Sequence, residues 1–207
     1  ASCIAPPVYA GGIRTRRIEG SSQLHLVLGF DLPARTDDDP AAEVAAAVFG
    51  EGMSSPLLSE LRERRGLAYH AACAADRYDA FGQFAIEASI APGRQDECLR
   101  ELMRLLARQA ASTDAVDLER ARNQLAVRLL RDRDRPSRRM EQAALDLFAL
   151  GRLRPAAEQL ARIDAVNATA VSEVFQRMLG AGVSLALTGS VGRAASERAR
   201  ASLSLPP

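Results

Sequence analysis

FGEGMSSPLLSELRERRGLAYHAACA, Phe49 to Ala74, changes its period twice within one short stretch. Gly50–Ser55 breaks the chain, and Pro56–Arg65 resumes as a short helix. Gly66 follows as the residue type that ends helices in a left-handed turn. Leu67–Asp76 then reads as a strand. Just beyond it Phe81–Ala91 reads as another, with Phe84, Ile86, Ala88 and Ile90 on one face. Arg77-Tyr78-Asp79-Ala80 joins the two as a hairpin.

Working outward on the N-terminal side, Gln23–Phe30 alternates cleanly, with Leu24, Leu26, Leu28 and Phe30 on one face, and Ile13–Glu19 makes a shorter strand before it. Asp37-Asp38-Asp39 and Pro40 precede an alanine-rich run to Phe49. They read as a helix start: a cap, proline at the first turn and negative charge at the positive end of the dipole. A calcium loop is the other reading of three aspartates, but the alternating ligand spacing is missing. On the C-terminal side helices dominate from Gly93. Leu99, Leu102, Leu106 and Ala110 form one stripe, and Leu118, Ala121, Leu125 and Leu129 the next, capped by Thr113-Asp114. Met140, Ala144, Leu147 and Phe148 mark a third helix stopped near Gly151. Asn167 caps a fourth, which carries Val171, Val174, Phe175 and Met178 inward. Val183–Thr188 is a last short strand, and an arginine-rich helix ends the chain. Paired strands followed by a run of helices predict an α+β fold: a two-layer sandwich with a mostly antiparallel sheet covered by helices.

The 207 residues suffice for one large domain with a real core. ASCIAPPVYAGG reads as a linker over residues 1–12, with the domain over 13–207. It lacks the charged and apolar regions of a signal peptide. No run of about 18 apolar residues predicts a membrane span. A net charge of +1 argues against a nucleic-acid partner, which needs a concentrated basic face. The arginine-dense stretch Arg128–Met140 is interleaved with aspartates and reads as a solvated helix face. All 27 basic residues are arginine; with the alanine richness, that suggests a GC-rich bacterial genome. Cys3, Cys73 and Cys98 have no metal-type spacing and read as small buried thiols. The compartment stays open, with the periplasm weighed above the cytoplasm.

The chemistry begins with what is missing. His25 and His70 are the only histidines, and neither has a histidine or carboxylate partner at helical spacing. With no His-Glu-x-x-His or His-x-x-Glu-His, the usual routes to a catalytic zinc are closed, and no metal ligand is assigned to this chain. Both histidines read as structural or surface residues. No nucleophile elbow and no phosphate loop of Walker type occurs. Gly50–Ser55 admits an anion-binding reading because it runs into a helix N-terminus, but a plain connection is the better reading of so short a loop.

The Phe49–Ala74 stretch resembles the signature of the second, metal-free half of pitrilysin (insulinase)-type zinc metallopeptidases. The pattern is a glycine loop, Met53-Ser54-Ser55, two leucines, then Leu61-Arg62-Glu63-x-Arg65-Gly66-Leu67-Ala68-Tyr69. The VYAGG linker, the helix DLERARNQL (Asp117–Leu125) and the strand VSLALTG (Val183–Gly189) agree with it. The resemblance implies a half-domain of a clam-shell peptidase. The homologous half, upstream in the same polypeptide or in a separate subunit, holds zinc, its ligands and the general-base glutamate. The metal-free half covers the cleft, contacts the peptide substrate, and contributes an arginine and a tyrosine. The matching positions are Arg62 and Tyr69, in catalytic (oxyanion-stabilising) and substrate-binding roles. The residues suit this: a guanidinium and a phenol are donors fitted to a developing oxyanion and to peptide carbonyls. The blander alternative makes Arg62 a solvated helix residue and Tyr69 a core aromatic. Arg64 and Arg65 are expected to face solvent. The resemblance therefore implies part of a zinc metalloendopeptidase, inactive alone and without a cofactor of its own. A non-catalytic assembly subunit of the same family is the rival, and a peptide-binding module that adds strands to a sheet edge is a third reading.

Overall fold

Leu24, Leu26, Leu28, Phe30 and Leu32 are buried along β2 (Leu24–Leu32), while His25, Val27 and Asp31 between them are exposed. That alternation gives the sheet one apolar face and one open face. The computed structural model describes residues 7–203; Cys3 lies outside them. Its sheet contains β1 (Gly12–Arg17), β2, β3 (Ala68–Arg77), β4 (Gly82–Ile90) and β5 (Ser184–Gly189), in the order β1-β5-β2-β4-β3. Only the β1–β5 pairing is parallel. β1 and β3 are the two edges.

The helices are α1 (Ala41–Gly50), α2 (Pro56–Leu58), α3 (Gln95–Ala111), α4 (Ala115–Arg133), α5 (Pro136–Leu150), α6 (Ala156–Ala165), α7 (Ala168–Ala181) and α8 (Ala195–Leu203). α1 packs on β3, α7 on β2 and α8 on β1, so the helical layer covers the apolar side of the sheet. Phe49, Phe84 and Phe175 bring α1, β4 and α7 together, with ring centroids 5.8–6.4 Å apart in edge-on or tilted arrangements. This is the α+β sandwich that the strand pairs and helix run predict.

The differences have physical causes. α6 is a helix with no counterpart among the sequence expectations, and none of its residues is fully buried. α5 exists where its stripe placed it, but Met140 and Phe148 are 72% and 78% exposed. The one buried residue of α5 is Asp146. It is held by Arg154 at 2.6 Å, and Arg154 in turn reaches Asp38 at 2.7 Å. Ion pairing across the loop anchors this helix. Asp38 therefore belongs to that network, in a left-handed conformation (φ 50°), while Asp39 accepts from the amide of Ala41 at 2.9 Å and begins α1. Arg77, expected in a turn, is buried at the end of β3. It donates to the carbonyls of Pro33, Ala34 and Asp39 and pairs with Glu43, which ties the loop before α1 to the hairpin. Asp114 caps α4 by accepting from Val116 and Asp117, and Thr113 instead bonds Ser172 at 3.2 Å.

Candidate functional site

The expected helix over Pro56–Arg65 begins as α2, with the Ser55 hydroxyl accepting from the Leu58 amide, and widens into a π-helical segment over Ser59–Arg64. π-helical turns are rare and concentrate at functional sites. The segment ends at Gly66, whose φ of +55° is the left-handed conformation. There the Leu67 amide reaches back to the Leu61 carbonyl at 2.7 Å and the Gly66 amide to that of Arg62 at 3.2 Å. The chain is thus reversed within a few residues onto edge strand β3.

Strict alternation would put Tyr69 and His70 on opposite faces of β3. A register irregularity between Ala68 and His70 breaks it, and both side chains are exposed. A bulge of this kind re-aims a side chain at a sheet edge. Tyr69 is 64% exposed, so it is not a core aromatic, and its hydroxyl has no hydrogen-bond partner among the described residues. His70 lies 3.6 Å from Glu87, and His25 shares a hydrogen with Ser89 at 2.8 Å; both histidines sit on the open face.

The three arginines of the segment are not equivalent. Arg64 binds Glu60 at 2.7 Å, and Arg65 binds Glu101 at 3.2 Å. Both are exposed, as expected, and each also joins a cluster with Arg104 that fastens the π-helical segment to α3. Hydrogen bonds from Arg104 hold the Glu101 carboxyl below the usual carboxylate range, against the opposing effect of burial. Arg62 is excluded from the cluster. Its single ionic neighbour is Glu63, 3.8 Å away and equally exposed, a geometry worth little in water. Arg62 and Tyr69 therefore stand on two contacting elements at either side of the Gly66 reversal, with free donor groups and no hydrogen bond between them. Glu60, Glu101 and Arg104, which steady this arrangement, escaped the sequence reading. The Glu101–Arg104 spacing is visible on a helix, but its contact to Glu60 comes only from folding.

The glycine loop is a braced connection. Arg120 donates to the carbonyls of Val48 and Glu51, and Arg128 pairs with Glu51 at 3.2 Å. This is what the DLERARNQL helix does for the loop. Cys73 and Cys98 are chemically quiet: burial pushes both thiols up to about 12, with Glu51 adding to it for Cys73 and Glu97 and Glu101 for Cys98. Among the described residues no three His, Cys, Asp or Glu side chains converge on a point that could hold a metal ion. The described residues do not fit a zinc site.

A family profile described as the peptidase M16 inactive domain matches residues 3–125. The chain belongs to that family. Among curated relatives, an uncharacterised zinc protease of Rickettsia bellii is 26% identical over 91% of this chain and 46% of its own length. One of Streptomyces coelicolor is 29% identical over 89% of this chain and 42% of its own length. The M16 chain thus spans about half the length of the curated relatives it matches. A Helicobacter pylori protease superposes with a TM-score of 0.79 at 16% identity, covering 91% of this chain and 46% of that one. A peptidase M16 inactive domain from Pseudomonas fluorescens superposes with a TM-score of 0.75 at 20% identity, covering 93% and 47%. At these identities the structural likeness is one of fold. This M16 domain corresponds to one half of a zinc protease family member.

Proposed function

We propose that this chain is the metal-free half of a zinc metalloendopeptidase, joined through residues 1–12 to, or assembled with, a homologous half that supplies zinc, its ligands and the general base. It closes over that half and binds the peptide. The Tyr69 phenol and the Arg62 guanidinium donate to the carbonyl oxygen of the scissile bond as charge develops on it. Donors held in place before the reaction need no reorganisation when the oxyanion forms, which is where such groups contribute most. One observation carries the reading. The bulge in β3, just after the Gly66 reversal, leaves the Tyr69 hydroxyl in solvent with no hydrogen-bond partner among the described residues. Arg62, left out of the neighbouring ion-pair cluster, supports the same reading.

A purely structural role in an assembly is the second reading, favoured by the apolar side of α5 that stands exposed at Met140, Leu147 and Phe148. Tyr69→Phe in the assembled protease separates the two. An oxyanion donor acts mainly in the transition state, so kcat should fall by about 10²–10³ with a smaller change in KM. Unchanged turnover with an unchanged thermal melt would leave the structural reading standing.

A further inference from the structure

β1 is an edge strand whose sequence, Gly12-Ile13-Arg14-Thr15-Arg16-Arg17, places three arginines in four residues. Arg14, Thr15, Arg16 and Arg17 are all exposed, and none of the three arginines has a carboxylate within 4.0 Å among the described residues. The pairing with β5 fixes which way the backbone points. Gly12 and Ile18 both turn their amides toward β5, donating to Val183 and Gly189. By alternation Ile13, Thr15 and Arg17 turn their amides and carbonyls outward, away from the sheet. One of those outward acceptors is already met by a makeshift donor: the Arg14 guanidinium bends back to the Ile13 carbonyl at 3.2 Å. It stands where the amide of a further strand would stand.

Side chains settle the chemistry of such a strand. In register, Arg14 lies beside Ala186 and Val27, and Arg16 beside Thr188 and His25, so both belong to the open face. They are two residues apart, roughly 6.6 Å along the strand. An extended peptide with carboxylates at alternate positions matches that spacing, and directly opposed residues of opposite charge stabilise a strand pair. A second copy of the chain fits poorly, because β1 paired with itself sets arginine against arginine.

We infer that the outer edge of β1 is a docking site for an acidic extended peptide, which adds as a sixth strand beyond β1 and sets alternate carboxylates on Arg14 and Arg16. The site lies at the opposite edge of the sheet from Tyr69, about 19 Å away across four strand spacings. It is therefore separable from the Tyr69 and Arg62 chemistry. Edge arginines also serve simply to discourage aggregation, and the experiment distinguishes that role.

Fluorescence anisotropy of the 207-residue chain at low ionic strength, with labelled octapeptides, is the test; no catalysis is involved, so its outcome is independent of the proposed protease function. A peptide with glutamate at alternate positions should bind about tenfold more tightly than its glutamine counterpart and than an isomer with the same glutamates in one block, the gain expected of two opposed charge pairs. Arg14→Ser with Arg16→Ser should abolish that preference. Thr15→Pro should weaken binding of the alternating peptide without lowering the melting temperature, because the amide it removes points away from β5. Equal binding of the alternating and block isomers would reduce the site to diffuse charge and overturn the inference. So would an absence of peptide binding together with self-association of the double serine variant, which would make the arginines aggregation guards only.

Discussion

Arg62, Arg64 and Arg65 follow one another within four positions, and apart from the family resemblance their sequence neighbourhood gives little basis for ranking them. Folding does: Glu60 and Glu101 take Arg64 and Arg65, and Arg62 is left with a loose exposed neighbour. In the assembled protease Arg62→Ala should therefore lower kcat/KM by about 10²-fold, on the scale of one lost oxyanion donor, and also raise KM if the guanidinium holds peptide carbonyls in the ground state. Arg62→Lys should recover only part, since an ammonium lacks the planar fork. Arg64→Ala should change the kinetics little. Steady-state rates read beside a thermal melt of each variant check this, and equal losses at positions 62 and 64 would refute the assignment. Asp146 shows the same dependence on folding. Burial acts to raise its carboxyl, but the hydrogen bonds and charge of Arg154 outweigh it and hold it below the usual carboxylate range. Because the folded value lies below the unfolded one, the pairing stabilises at pH above about 4 and is lost as pH falls through the folded value. Asp146→Asn should cost about 3 kcal/mol at pH 7, leaving Arg154 only Asp38 as a partner, and the difference from wild type should shrink in acid. Urea unfolding at pH 7 and pH 3 measures both. No periodicity argument marks Asp146 or Arg77, because the charged partners that bury them, Arg154 and Glu43, lie outside the helix and strand that carry them.

Elements were far more legible than residues. Leucines alternating along β2, and the capping residues Asp114 and Asn167, write their structure locally, and the structure has strand and helices where those signals do. Two kinds of feature stayed out of reach. The π-helical widening after α2 and the bulge at Tyr69 each add a residue to a regular repeat, and a repeat read from sequence has no way to register an insertion that keeps its chemistry. α5 fails differently: its apolar stripe is real, yet within the described residues it faces outward. Gly66 is where element and site meet. A Cβ there would touch nothing within 4 Å, so Gly66→Ala acts only through the left-handed backbone, at about 1–2 kcal/mol. Gly151 ends α5 in the same conformation (φ 69°) with equally open space. Alanine at either position should lower the melting temperature similarly. Only Gly66→Ala should also depress turnover, because it alone relaxes the reversal that separates the elements carrying Tyr69 and Arg62. Equal turnover in the two variants would show that the reversal does not position the pair.

At the scale of the whole molecule, the sheet divides the domain into two unlike surfaces. One carries the core and the helical layer; the other carries His25, Val27, Asp31 and Glu87 into the open, with Tyr69 at one edge and the β1 arginines at the other. An amphipathic sheet left bare on one side by its own chain suits a face that closes on something else. The chain covers about half of relatives named as zinc proteases, and its described residues gather no trio of metal-ligating side chains. A catalytic zinc needs three protein ligands at one point and an open fourth position. Two results should follow together. Dialysed chain should carry no stoichiometric zinc by elemental analysis and cleave no peptide, and added zinc should not change that. Mixing it with the zinc-bearing half should produce cleavage that a chelator abolishes and that excess zinc-bearing half alone does not match. The control matters, because a fully competent zinc half would make this chain a lid and not a contributor to the chemistry. If the zinc half alone reaches the turnover of the mixture, Tyr69 and Arg62 lose their catalytic roles. If the mixture exceeds it by the same factor that Tyr69→Phe removes, the rate enhancement resides in the donor pair that the Gly66 reversal presents.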